Sequence, residues 1–311
     1  MRGAVLQMVR GLIAGAACAS ALASPSIQAT AAQTGANENS IPDFGGIWAR
    51  TTFGWELPES GPGPLRNMQR RPNGTSDAQK LVGDYASPIL TPWAADIVKR
   101  HGEISLAGAA FPDPSNQCAT MAPPYILRIN EMEMVQQSGM VTILYMQDHQ
   151  FRRIRMNASH PAKLSPTWRG DSVGHYEGDT LVIDTIGIKV GPASMVDMYG
   201  TPHSEALHVI ERYRLVNGEI ARASSARNDR EYGRADGPAA DGVFVDFGYG
   251  GKGLQVQFTI EDPNAFTTPW SGSVTYLRAA NDWEERVCAE NVHEYYSGKD
   301  AGVPHADKPD F

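Results

Sequence analysis

The chain has 311 residues, with 27 Lys and Arg against 35 Asp and Glu and a formal net charge of −8 at pH 7. That length fits one large domain or two small ones. The mild acidity, with basic residues scattered rather than clustered, argues against nucleic acid as a partner.

The N-terminus has the layout of a secretory signal peptide. Arg2 and Arg10 precede an uncharged stretch, Gly11 to Ala23, that is mostly Ala, Leu, Ile and Gly. Small-x-small sites at Ala21-Leu22-Ala23 and Ile27-Gln28-Ala29 place cleavage near residue 23 or 29. Residues 1–29 are therefore read as the signal peptide and 30–311 as a single β-rich domain, periplasmic or secreted. Cys18 follows Gly15-Ala16-Ala17, so a lipid anchor at Cys18 is the second reading. Past residue 23 no long apolar run occurs, and no transmembrane segment is expected in the mature chain. Cleavage removes Cys18 and leaves Cys118 and Cys288. A pair in an oxidising compartment is most simply a disulfide. It would close a loop of about 170 residues, worth several kcal/mol on a chain-entropy account. Two unrelated buried thiols are the alternative.

Along the mature chain, Phe44 to Trp48 reads as a first strand, and residues 54–75 as a surface loop rich in Pro, Gly and Arg. Thr91 and Pro92 supply an N-cap and a first-turn proline for a helix over Ala94 to His101, ended by Gly102. Residues 108–124 are Pro-rich. Short strands follow at Ile126–Ile129, Met132–Gln136, Val141–Met146 and Phe151–Met156. The clearest hairpin runs from Ser172 to Tyr176, turns at Glu177-Gly178 and returns over Asp179 to Thr185. Glu205 to Leu215 reads as a long strand, with Asn217-Gly218 turning into a strand over Glu219 to Ala223. Residues 226–242 read as a mobile loop. Val243–Phe247, Gly253–Ile260 and Ser273–Leu277 complete the strands. The fold class is mainly β: an antiparallel meander closing into a lipocalin-like barrel or a strongly curved sheet, with one or two short helices. A two-sheet sandwich fits the same pattern.

The chain has no phosphate loop, no His-Glu-x-x-His and no Gly-x-Ser-x-Gly, so neither an organic cofactor nor a metal is expected. Titratable residues instead gather in two windows. The first holds His160, Trp168, His175, Tyr176, Glu177 and Asp184. Asp184 alternates with Val182 and Thr180, which places all three on one face, read as interior. An interior Asp must be paired. The second window holds His203, Glu205, His208, Glu211 and Arg212. Strand parity puts Glu205, Leu207, Val209, Glu211 and Tyr213 on one face. A strand starting by residue 203 would set His203 beside Glu205 as a base and its orienter.

The block Trp168-x-Gly170-x-Ser172-Val173-Gly174-His175-Tyr176-Glu177-Gly178-Asp179-Thr180-Leu181-Val182-Ile183-Asp184-Thr185 resembles a signature of a group of exported bacterial proteins. Pro202 to Glu205, Val209 to Tyr213, Thr259 to Pro263 and Cys288-x-Glu290-Asn291 are similar to later blocks of that group, in the same order. Cys118, Pro123-Pro124 and Arg128-Ile129 also match, so the resemblance spans residues 118–291. Tyr176 stands where the group has Trp, Asn157-Ala158-Ser159 replaces Asp-Gly-Arg ahead of His160-Pro161, and the segment 226–242 is longer. The resemblance implies an exported, lipocalin-like β domain and brings no settled activity.

These readings lead to a cofactor-independent enzyme that acts by acid/base chemistry on a small, partly apolar molecule in a barrel cavity. Lyase, isomerase and hydratase reactions fit. His160, His203, Glu205 and Asp184 are the catalytic candidates. Tyr176, Arg212, Trp168 and His175 are the substrate-binding candidates. A non-catalytic carrier of a small hydrophobic ligand is the alternative.

Overall fold

The computed structural model describes residues 41–128, 131–233 and 245–280, and the backbone of two short paired strands at 293–294 and 299–300. The expected signal peptide, Cys18, Cys288 and residues 234–242 of the expected loop lie outside the described residues.

Nine strands close a barrel in chain order. They are β1 (Gly46–Ala49), β2 (Glu131–Gln137), β3 (Met140–Tyr145), β4 (Gln150–Met156), β5 (Asp171–Glu177), β6 (Thr180–Ile186), β7 (His208–Val216), β8 (Gly253–Glu261) and β9 (Trp270–Arg278). Trp48 opposite Arg278 and Ala49 opposite Leu277 make the closing seam. Closure leaves the sheet without free edges. The chain is thus mainly β and barrel-forming, as its alternation suggests. One junction departs from an antiparallel meander. β4 and β5 run parallel, with Arg155 opposite Val173 and Met156 opposite Gly174. Gly174 permits this approach, because a Cβ there would lie 2.8 Å from Ile154 Cγ2. The β5–β6 hairpin pairs Glu177 with Thr180 across Gly178-Asp179, and Gly178 takes the positive φ of +62° that the tight turn needs.

Period-two alternation decides which side chains face the lumen. Ile143, Ile154, Leu181, Ile183, Val209, Val256 and Val274 are all fully buried there. So are the polar groups Arg152, Thr185, Glu211 and Tyr213. Arg152 donates to both carboxylate oxygens of Glu211 and reaches Ser172 Oγ at 3.2 Å, while Tyr213 Oη donates to Glu211 Oε1 at 2.9 Å. Burial alone would lower the Arg152 pKa, but the Glu211 carboxylate outweighs it and holds the guanidinium charged. A buried pair with its hydrogen-bonding capacity filled ties β4 to β7 across the barrel. These buried side chains, apolar and polar together, point into the barrel.

Two α-helices flank the barrel. α1 (Pro92–Leu106) starts where Thr91 and Pro92 direct, with Thr91 Oγ1 accepting from Ala94 N–H. It runs through Gly102, which packs against Val82 and so suits the absence of a side chain. α2 (Gly218–Tyr232) replaces both the expected strand over 219–223 and the start of the expected loop. Asn217 is its N-cap, with the side chain accepting from Glu219 N–H at 2.7 Å. Tyr125–Arg128, which overlaps the strand expected over Ile126–Ile129, is a turn of 3₁₀ helix. Its consecutive buried residues Tyr125, Ile126 and Leu127 cannot share one face of a strand. Among the described residues no helix is long and apolar enough to cross a membrane.

Candidate functional site

Two places concentrate titratable chemistry. The first is a chain of ionic hydrogen bonds on the outer wall of the barrel. His160 Nδ1 lies 2.7 Å from Asp171 Oδ2, and its Nε2 lies 3.1 Å from Asp184 Oδ1. His208 Nε2 lies 3.0 Å from the same Asp184 oxygen, and its Nδ1 lies 3.3 Å from Glu261 Oε2. Arg155 closes the far end on Asp171 at 2.8 Å. Asp184 therefore faces outward, because Leu181, Ile183 and Thr185 take the lumen positions of β6. Its grouping with Val182 and Thr180 holds, and the face is the opposite of the one expected. The His208 hydrogen bond, helped by His160, keeps the Asp184 carboxyl below its usual pKa against the effect of burial. Asp184 in turn raises His208 above the ordinary imidazole value, with Glu261 adding to it. Each ring has a carboxylate at both nitrogens.

The second place is a cleft of about 600 Å³ built wholly from loops and bearing His203, Trp168, Pro192, Met195 and Cys118 on its wall. None of its lining residues belongs to a barrel strand. Trp168 and Asp171 are three residues apart, so their Cα atoms lie within about 11 Å and the cleft adjoins the ionic chain. His203 is 3% exposed. Burial lowers its pKa, against the opposing pull of the Ser204 carbonyl and the nearby Asp262, so the ring is neutral at pH 7. Its Nδ1 lies 3.0 Å from the Ser204 carbonyl oxygen. A carbonyl only accepts, so Nδ1 carries the proton and Nε2 keeps a lone pair. Nε2 has no hydrogen-bond partner among the described residues. Ser204 is itself clamped, with N–H and Oγ–H donating to Asp262 at 2.6 and 2.8 Å. Asp262 is buried. A carboxylate thus fixes a serine whose carbonyl fixes the imidazole.

The remaining candidates disperse. Glu205 is exposed in the turn before β7 and has no ionic or hydrogen-bond partner among the described residues. Because β7 begins at His208 rather than 203, strand parity does not bring His203 and Glu205 together. Tyr176 is half-buried, and its hydroxyl accepts from Gln136 Nε2 at 2.9 Å. Arg212 donates to Glu177 Oε2 at 2.5 Å, and His175 Nε2 lies 3.1 Å from Glu177 Oε1, all three exposed on the outer wall. Of the eight candidates, His160 and Asp184 meet directly, and His203 and Trp168 share a cleft. The structure adds Asp171, His208, Glu261 and Asp262. His208 and Glu261 are cross-strand partners, visible only once the β7–β8 register is known. Among the described residues no group of three or more His, Cys, Asp or Glu is arranged to hold a metal ion. No family model, curated protein or solved structure matches this chain.

Proposed function

We propose that the protein is a cofactor-independent enzyme of lyase, isomerase or hydratase type, acting on a small, partly apolar molecule in the loop cleft, with His203 as the base. The orientation of His203 carries this reading: a neutral imidazole with Nδ1–H held by a backbone carbonyl and Nε2 unengaged at an apolar cleft wall. A desolvated base whose pKa lies near or below the working pH suits removal of a proton from carbon beside a carbonyl. In an elimination, Nε2 would take that proton, the C–H electron pair would form the C=C bond, and a β-hydroxyl would leave as water with the same proton returned from the ring. The test is a panel of enolisable, β-hydroxy and α,β-unsaturated carbonyl compounds in D₂O, followed by NMR. Deuterium uptake, elimination or hydration that disappears in His203→Ala supports the reading. Turnover that survives in that variant removes His203 from the chemistry.

One observation favours the carrier instead. Among the described lining residues of the cleft there is no carboxylate, amine or phenol to serve beside His203. Saturable binding of panel members without any turnover decides for the carrier.

Export belongs to the same proposal. A signal peptide over residues 1–29 and an oxidising compartment would let Cys118 and Cys288 pair. The oxidised mature protein, denatured without reductant, is then expected to give no reaction with a thiol reagent. Two reactive thiols would refute the pairing.

A further inference from the structure

A second groove lies elsewhere, on the outer face of β7, β8 and β9. It has a volume of about 540 Å³, and the segment 56–60 forms its opposite wall. Its floor is an ordered polar array. Arg212 stands opposite Gln257 and Gln257 opposite Ser273, and in the next row Arg214 stands opposite Gln255. Neighbouring strands hold such side chains at a repeat of about 4.8 Å. The hydrogen-bonding capacity of this array is mostly unspent within the protein. Arg214 gives Nε and Nη2 to the single acceptor Gln255 Oε1, at 2.9 and 2.7 Å. No carboxylate among the described residues lies within ion-pairing distance of Arg214. Arg212 commits only Nη1 to Glu177. Leu57, 45% exposed, presents an apolar face on the opposite wall.

The groove also continues. A further concavity of about 290 Å³, against α2, shares Glu56, Leu57 and Arg227 with it. Two concavities with a common wall suit a chain-shaped ligand rather than a compact one. Arg227 pairs with Glu56 and Arg212 with Glu177, while Glu59 on the opposite wall is a lining carboxylate without an ion pair among the described residues. That leaves Arg214 as the cation without an internal carboxylate.

We propose that this groove binds a short saccharide chain bearing a carboxylate, a uronic-acid oligomer. The carboxylate takes the open edge of the Arg214 guanidinium, whose planar donors match it. Ring hydroxyls exchange hydrogen bonds with Gln255, Gln257 and Ser273, and a ring's C–H face rests on Leu57. The site is independent of the His203 cleft.

The experiment is titration calorimetry with trigalacturonate, its fully methylated ester and maltotriose, at about 0.15 M salt to screen unspecific attraction. Trigalacturonate is expected to bind saturably and at least five-fold tighter than the uncharged ester or maltotriose. Arg214→Ala and Gln257→Ala, both exposed substitutions, should each weaken it five-fold or more, while His203→Ala leaves it unchanged. Absence of binding, equal affinity for the ester, an undiminished affinity in Arg214→Ala, or full displacement by an equivalent charge of sulfate would each overturn the proposal.

Discussion

On the outer wall, both nitrogens of His160 and both nitrogens of His208 meet carboxylates. In the cleft, His203 meets a backbone carbonyl and no side-chain partner among the described residues. The wall histidines are partly solvated and surrounded by negative charge, so at His208 the hydrogen bond to Asp184 wins over burial. At His203 burial wins, because its nearest carboxylate, Asp262, is spent on Ser204. The same side chain therefore links carboxylates of different strands in one place and is held as a neutral base in the other. A base needs a free lone pair, and of these three histidines only His203 has a ring nitrogen without a partner among the described residues.

The largest expected effect separates the two regions by kind. His203→Gln, which keeps a hydrogen-bonding group at this buried position, should abolish turnover of any substrate found by the carbonyl panel at a modest cost in stability. Asp184→Ala should instead keep turnover and lose stability. It removes the acceptor shared by His160 and His208. Hydrogen bonds to charged groups are worth about 1.5–3 kcal/mol each when buried. Asp184 is more than a third exposed, so a total loss of about 1–2 kcal/mol is expected after allowance for solvent screening. Urea denaturation and turnover measured on both variants check this. Loss of turnover in Asp184→Ala without loss of stability would move the chemistry to the wall.

Why the sequence points to His203 and Asp184 but not to their surroundings is a matter of register. Alternation shows which residues share a face, and it groups Asp184 with Val182 and Thr180. It does not say which face turns inward, and in β6 Thr180, Val182 and Asp184 turn outward while Thr185 turns in. Asp171, His208 and Glu261 come from three further strands, so their meeting depends on pairings that no local pattern encodes. α2 escapes for another reason. Its buried residues Ala221, Ser224, Ser225 and Asn228 have helical spacing, but they are small or polar and leave no hydrophobic period. The barrel itself is legible, because its strands alternate cleanly and Gly178 marks its tightest hairpin. The parallel β4–β5 contact is not, since the residues between the two strands carry no crossover signature.

A smaller effect tests the charge states directly through pH. His208 has a raised folded pKa, so its contribution to stability is complete below about pH 6.5 and is lost as pH climbs through the raised value. Asp184 has a lowered one, so its contribution is present above the ordinary carboxylate value and is lost as pH falls through the lowered value. His203 has a lowered folded pKa, so folding is opposed increasingly as pH drops below about 6.5. Relative to wild type, His208→Gln should therefore be most destabilised near pH 5.5 and approach it as pH rises toward 8.5. His203→Gln should gain on wild type as pH is lowered over the same range. Denaturation midpoints across pH supply the readout. Trends of the same sign in both variants would break the comparison.

The smallest effect is expected at Glu205, the carboxylate that sequence parity sets beside His203. It is exposed in a turn, and the strand that would have aligned it begins only at His208. Glu205→Ala should leave the denaturation midpoint within about 0.5 kcal/mol of wild type, as for other surface substitutions. Turnover, wherever His203 supports it, should also be unchanged, since the orientation of the ring comes from the Ser204 carbonyl and its Asp262 clamp. The matching control is Asp262→Asn, which disturbs that clamp and should lower kcat. If Glu205→Ala instead lowers turnover as far as Asp262→Asn does, the turn before β7 closes over the cleft during catalysis, and the base is oriented by a side chain rather than by the backbone.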